Sequence, residues 1–234
     1  MKIILRNKPK NVTIIEGFPG FGLVGSISTE FLIQHLAAEK IGIVTSEKFL
    51  PITAVHDGQV VEPLSIYHSK KHNIVIVHAL SGMTGLEWNI AEMLGTLCKT
   101  LSAKELISIE GIMSKAGGGK VYYYSNMSGS DKKLKGLGVE TLKERIIMGV
   151  TGALITNTKN HTGFFVESNL QVADSMAAAR IIETLDKYLG LKVDTKPLQQ
   201  AAAEFETKLK TILEQSKAAV QVQEQKTEGL NYLG

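Results

Sequence analysis

Cysteine is almost absent from this chain: Cys98 is the sole example in 234 residues. No disulfide can form within the chain, and a thiolate metal site cannot be built from one sulfur. Aromatic residues are sparse at 6% and the formal charge is only +3. The densest basic cluster, Lys132, Lys133 and Lys135, is short and lies among Gly and Ser. No basic run is interleaved with aromatics, so a nucleic-acid partner is not expected. No apolar run approaches the ~20 residues that span a bilayer, and the first nine residues carry no signal-peptide core. A cytoplasmic protein without a membrane partner is therefore expected. What is present is an ordinary globular balance, 44% hydrophobic and 21% charged, which is apolar enough to fill a sizeable core.

Alternation of strand-like and helix-like segments gives the fold class. Residues 1–9 begin as a short strand, and residues 12–16 (VTIIE) form an apolar strand that runs into the turn GFPGFG. Leu23, Ile27, Phe31, Leu32, His35 and Leu36 then recur three or four residues apart, one side of a helix running to about Glu39. Residues 41–49 read as a strand, and Asp57-Gly58 between TAVH and QVVE is a hairpin signal. Pro51 and Pro63 mark that region as short or edge strands. The nearly unbroken apolar runs at 73–80 (NIVIVHAL) and 105–112 (ELISIEGI) fit strands buried on both faces, with an amphipathic helix over 85–103 between them. Residues 117–138 are rich in Gly and Ser and read as an exposed excursion. Residues 148–156 and 163–168 read as strands, and 172–189 as a helix ended by Gly190. The whole predicts an α/β protein, a three-layer α/β/α sandwich with a mixed, mainly parallel sheet.

The C-terminus differs. After a domain over residues 1–193, Asp194 or Thr195 can cap a helix with Pro197 in its first turn. Ala202, Phe205, Leu209, Ile212, Ser216 and Ala219 form a short coiled-coil-like stripe in a helix over 194–222. Residues 223–234 form a polar tail closed by Leu230, Asn231, Tyr232, Leu233 and Gly234. Apolar groups at such an end have no core to join and suit insertion into a partner.

Candidate sites are few. Gly20, Gly22 and Gly25 match the G-x-G-x-x-G of dinucleotide-binding folds and lie between a strand and a helix. Gly17, Phe18, Pro19 and Phe21 make the same turn bulky and apolar, which suits a structural turn or one that meets a partner. Glu47 is the nearest candidate for the acid that would hold a ribose. Gly117-Gly118-Gly119-Lys120 resembles the end of a phosphate-binding loop, but Ser114 and Val121 stand where Gly and Ser or Thr belong. His35, His56, His68, His72, His78 and His161 show no metal spacing, so neither metal nor cofactor is expected. Glu110 sits after a buried strand, where α/β proteins place functional acids. With Ser81 and Thr151 it outlines a possible pocket for a hydrolase-like or phosphorylase-like reaction. No nucleophile elbow and no third triad member can be named beside His78 and Ser81, so no catalytic residues are assigned.

The ordered set GFPGFGLVGSISTEFLIQHL, Pro51, Asp57-Gly58, Pro63, HALSGMTG, ISIEGI, GVTGALI and LDKYLGLKVDTKPLQQAAAEFE resembles the archaeal branch of the proteasome assembly chaperone family. That branch is sometimes filed under an ATP-grasp heading. The resemblance covers residues 12–213. It implies a phosphorylase/hydrolase-like α/β/α domain without enzymatic activity, which forms homo-oligomers and engages α subunits of the proteasome core particle. It further implies a C-terminal docking motif of a hydrophobic residue, Tyr and any residue, whose terminal carboxylate pairs with a lysine. Here Tyr232 stands third from the end rather than second, an offset that moves the carboxylate by up to ~3.5 Å. A nucleotide-binding or small-ligand protein built on the glycine turn, and an enzyme built on the Glu110 pocket, remain the alternatives.

Overall fold

The computed structural model describes residues 1–56, 59–113, 119–168, 173–196, 211 and 214. The strands are β1 (Lys2–Leu5), β2 (Thr13–Gly17), β3 (Glu39–Thr45), β4 (Ala54–His56), β5 (Gln59–Val61), β6 (Leu64–Ser69), β7 (Ile74–Ala79), β8 (Glu105–Met113), β9 (Val121–Ser125), β10 (Glu140–Thr141) and β11 (His161–Ser168). The helices are α1 (Val24–His35), α2 (Glu87–Leu101), α3 (Ser128–Gly136), α4 (Gly149–Asn157) and α5 (Ser175–Leu189). A nine-stranded sheet runs in the order β1-β3-β6-β7-β2-β8-β11-β9-β10, with β4 and β5 as a separate antiparallel pair. Its centre, β7-β2-β8-β11, is parallel, and the flanks pair antiparallel except β9 with β10. The mixed sheet between helical layers expected from the sequence is the fold observed.

Side-chain alternation on the central strands builds two cores. Ile15, Ile76, Ile107, Ile109, Phe164 and Val166 face α1 and α5, whereas Ile14, Val75, Val77 and Leu106 face α2 and α4. Burial on both faces explains why the β7 and β8 sequences are so continuously apolar. At roughly 25 cal/mol for each Å² of apolar surface removed from water, these two layers dominate the stability of the fold. The second layer also carries polar side chains. On β2, β8 and β11 the residues of the same parity as Ile14 and Leu106 include Glu16, Ser108, Glu110 and His161.

Two segments differ from the expectation. Residues 149–157 are helix α4, not a strand: a short apolar run cannot be told from a buried helical turn by periodicity alone. Gly149, at φ +77°, turns the chain into that helix. Residues 121–136 are not an excursion. β9 adds antiparallel to β11, burying Tyr123 completely, and α3 buries Leu134. The Gly and Ser content masked a strand of three tyrosines, a good β-forming composition. α5 is capped by the Asp174 carboxylate, which accepts from the Ala177 amide at 2.9 Å, and ends at Gly190 (φ +71°). The Asp57-Gly58 turn lies outside the described residues, although β4 and β5 pair on either side of it with Val55 opposite Val60. Most of the expected C-terminal helix, including Phe205, Leu209 and Ile212, and the tail with Leu230, Tyr232, Leu233 and Gly234, also lie outside them. No helix among the described residues is long and apolar enough to cross a membrane.

Candidate functional site

The parallel centre of the sheet ends in a cleft of about 200 Å³, where β2, β7 and β8 run out and α2 and α4 begin. That is the end at which open α/β sheets place their ligands, because the loops there diverge to either layer. Phe18, Pro19 and Gly20 come from the glycine turn after β2, and Gly82, Met83 and Thr84 from the loop after β7. Glu87 opens α2 at the mouth. Glu110 lies on β8, and Gly149, Val150 and Thr151 form the first turn of α4.

Glu110 is the chemical centre of this cleft. Burial pushes its carboxyl up to about 7, against a hydrogen bond from the Thr151 hydroxyl that favours the ionised form. Its Oε2 is shut off from solvent and has no hydrogen-bond partner. One strand over, Glu16 is 1% exposed, and desolvation lifts its carboxyl to about 8; Ser108 opposes the rise and the Glu110 charge adds to it. The Ser108 hydroxyl lies 2.8 Å from His161 Nε2, so carboxyl, hydroxyl and imidazole form one buried chain. Burial lowers His161 to about 4 and keeps the ring neutral. None of the described residues lining the cleft is Lys, Arg or His.

The structure places the other sequence candidates as follows. Thr151 and Glu110 share the cleft, but Ser81 is buried behind the Gly82 to Thr84 wall and does not line it. His78 points to the other layer, where Nδ1 meets Thr29 Oγ1 at 2.9 Å and Nε2 lies 3.5 Å from Glu30 Oε2. It does not join Ser81 in a catalytic pair. Glu16 was not singled out in the sequence, although it has the parity of Ile14 on a buried strand. Glu87 and Met83 carried no signal, because only the packing of α2 and of the loop after β7 brings them to the cleft.

The glycine turn is built by close backbone packing. A Cβ on Gly17 would fall against the Gly25 backbone, and one on Gly111 against the Phe21 carbonyl. A Cβ on Gly25 would stand 2.8 Å from the carbonyl oxygens of Phe18 and Ile109. Gly22 adopts φ +60° and its carbonyl accepts from the Asp174 amide at 2.8 Å. Nor does the nucleotide-binding arrangement assemble around this turn. β3, which precedes Glu47, is separated from β2 by β6 and β7, so Glu47 is far from a ribose at the turn. The cleft beside the turn offers the carboxyls of Glu87 and Glu110 to a phosphate and, among the described residues, no cation. Saturating ATP or NAD is therefore expected to leave the melting temperature unchanged, since a ligand of the native state would raise it. A saturable rise in calorimetry would overturn that reading.

Comparison with known proteins agrees with this architecture. The sequence profile of the PAC2 family matches residues 14–213. An uncharacterised protein of Methanocaldococcus jannaschii is 27% identical over 210 residues, covering 88% of this chain and 87% of the relative. The crystal structure of Pyrococcus furiosus PbaA, an archaeal homologue of proteasome-assembly chaperone, superposes with a TM-score of 0.83 at 30% identity, over 93% of this chain and 98% of that one. Pyrococcus furiosus PbaB, an archaeal proteasome activator, gives 0.72 at 25% identity, over 90% and 98%. With its family profile spanning nearly the whole α/β/α domain and both relatives matched along almost their full length, this chain belongs to the PAC2 family.

Proposed function

We propose that this protein is a proteasome assembly chaperone or regulator that acts as a homo-oligomer on the α ring of the core particle. The likeness to PbaA, at 30% identity over 93% of the chain, carries the reading, and the likeness to PbaB supports it. A surface suited to protein partners adds to this. Trp88 (61% exposed), Met113, Ile146 (90%) and Met148 all emerge at the end of the sheet where α2 and α4 begin. Exposed apolar side chains gathered at one end mark interaction surfaces more often than they serve a free monomer. In the glycine turn Phe18 and Phe21 are half-buried; Tyr123 of β9, in the layer that faces α1 and α5, is fully buried and unavailable to a partner.

The test is co-elution of the full-length protein with purified core-particle α subunits, read by native mass spectrometry. A complex containing several copies of this chain is expected. Absence of any complex at micromolar concentrations would sink the proposal. If the C-terminal tail docks, burying Tyr232 and Leu233 contributes on the order of 3 to 5 kcal/mol before ordering costs, and several tails on one oligomer reinforce one another. Deleting residues 232–234 is then expected to weaken α-ring binding at least tenfold while leaving the oligomer intact. Full-strength binding by the truncated chain would assign the contact to the folded domain, with Trp88 and Ile146 as the next substitutions.

A further inference from the structure

The free edge of the sheet at β1 forms a second candidate surface, distinct from the cleft and independent of the proteasome reading. β1 ends the strand order, and its inner side pairs antiparallel with β3, Ile4 opposite Ile43. The Arg6 amide donates to the Ile41 carbonyl and continues that register. Arg6, Ile4 and Lys2 therefore direct their amides and carbonyls to β3, whereas those of Ile3 and Leu5 point outward. No described strand pairs with them there. Beside this edge lies a groove of about 680 Å³, whose other wall is α2 with Met93, Thr96 and Thr100. Consecutive residues of β1, Lys2 to Leu5, line it, so the wall they supply is the strand's backbone edge. The Thr96 and Thr100 hydroxyls donate to carbonyls of α2 itself, those of Glu92 and Thr96. The unmet polar groups are thus those of the strand. An exposed strand edge is where extended peptides add as a further strand, with main-chain hydrogen bonds for affinity and alternate side chains for specificity.

We propose that this groove takes an extended acidic segment of another protein as a further strand, antiparallel to β1. Charge selects the occupant. Lys2, Arg6 and Lys8 follow one another along this edge, and among the described residues none of them is in an ion pair. Glu92 is the only acid among the described residues that line the groove. A second copy pairing through the same edge about Ile4 would set Lys2 of each copy opposite Arg6 of the other, and like charges directly opposite are destabilising. A partner strand with acids at those two positions turns the repulsion into attraction. Between them it needs an apolar residue over Ile4, which is 41% exposed. The residues on either side of that one fall on the face of Ile3 and Leu5, where both pack toward the layer that contains Met93, so they too are apolar. The segment therefore reads acid, apolar, apolar, apolar, acid.

The peptide acetyl-Glu-Val-Ile-Val-Glu-amide, titrated into the full-length protein and read by NMR shifts of its amides, tests this. Saturable binding is expected, with a dissociation constant below about 1 mM that weakens as salt is added. Acetyl-Lys-Val-Ile-Val-Lys-amide should bind at least tenfold more weakly. Methylating both valine nitrogens removes the donors that reach Ile3 and Leu5 and should abolish binding. Ile3→Pro removes an outward donor from the protein and leaves the ladder to β3 intact, a change that edge strands tolerate. It should weaken binding at least tenfold with the circular dichroism of the parent. Lys2→Glu combined with Arg6→Glu, both at exposed positions, should transfer the preference to the lysine peptide. No saturation by the glutamate peptide up to about 5 mM overturns the proposal. So does equal binding of the methylated peptide, or an unaltered preference in the charge-reversed protein. Self-association of the parent that Ile3→Pro abolishes, read by light scattering, would assign the edge to a second copy and overturn it as well.

Discussion

Gly25→Ala is expected to destabilise the protein by roughly 3 kcal/mol, measured as a fall in the denaturation midpoint without a change in slope. Two effects oppose each other at this position. Gly25 lies in the first turn of α1, where alanine is favoured over glycine by up to about 1 kcal/mol. The new methyl, however, would stand 2.8 Å from two carbonyl oxygens, Phe18 from the turn and Ile109 from β8. Both are backbone atoms in buried elements, so neither can move aside as a flexible side chain would. Relief requires α1 to separate from the central strands, which opens contacts of Val24 and Ile27, both fully buried. Overpacking therefore outweighs helix propensity. Gly82→Ala, where a Cβ meets nothing within 4 Å, provides the control and should change stability by less than about 0.5 kcal/mol. Equal midpoints for the two variants would show that the turn relaxes, and that the close approach of α1 to β8 is not what the glycines provide.

Stability is also expected to fall as the pH rises from about 6.5 to 8, in contrast to the plateau common for globular proteins. Glu16 and Glu110 have folded-state values near 8 and 7 against an ordinary value of 4.5. The native state thus holds protons that the unfolded chain has released, and stability falls with rising pH across that interval. His161, lowered to about 4 from 6.5, and His78, lowered by the same desolvation, act in the opposite sense below 6.5. There the unfolded chain binds protons that the native state excludes. Below 6.5 the two imidazoles thus oppose the fall that the two carboxyls cause. Above 6.5 the imidazoles no longer contribute, and only the carboxyl penalty remains. For Glu16 alone the loss is on the order of 4 kcal/mol by pH 8 counted from pH 4.5, at about 1.4 kcal/mol for each pH unit, and roughly half of it falls above pH 6.5. Glu16→Gln keeps the shape and removes the charge, so its melting temperature should match the parent at or below about pH 4.5 and exceed it clearly at pH 8. Parallel pH profiles for parent and variant would mean that Glu16 is ionised in the native state, its charge met by solvent or by a donor from another group.

How much of this was legible in the sequence follows from which interactions are local. The continuous apolar runs at 74–79 and 105–113 announced strands covered on both faces, since only burial in two layers lets a strand dispense with polar alternation. The strand, glycine turn and helix at residues 13–35 were readable because glycine spacing and helical periodicity are both written over a few residues. α4 was not readable. Its nine residues carry no one-sided apolar stripe, and packing against α2 and the sheet selects helix over strand. β9 was hidden for a related reason, because its place is fixed by pairing with β11, some forty residues away.

The sequence by itself thus determined the layered α/β class and the tight glycine turn, and it singled out Glu110, which the structure places within β8 rather than after it. These depend on residue type and on spacings of two to four. The tertiary structure alone decided that Glu16 shares a buried face with Glu110, that Ser81 stays behind the wall, and that His78 turns to Thr29. Strand order decided those placements. Which strands become neighbours depends on the summed packing of two helical layers, and no short stretch of residues carries that sum.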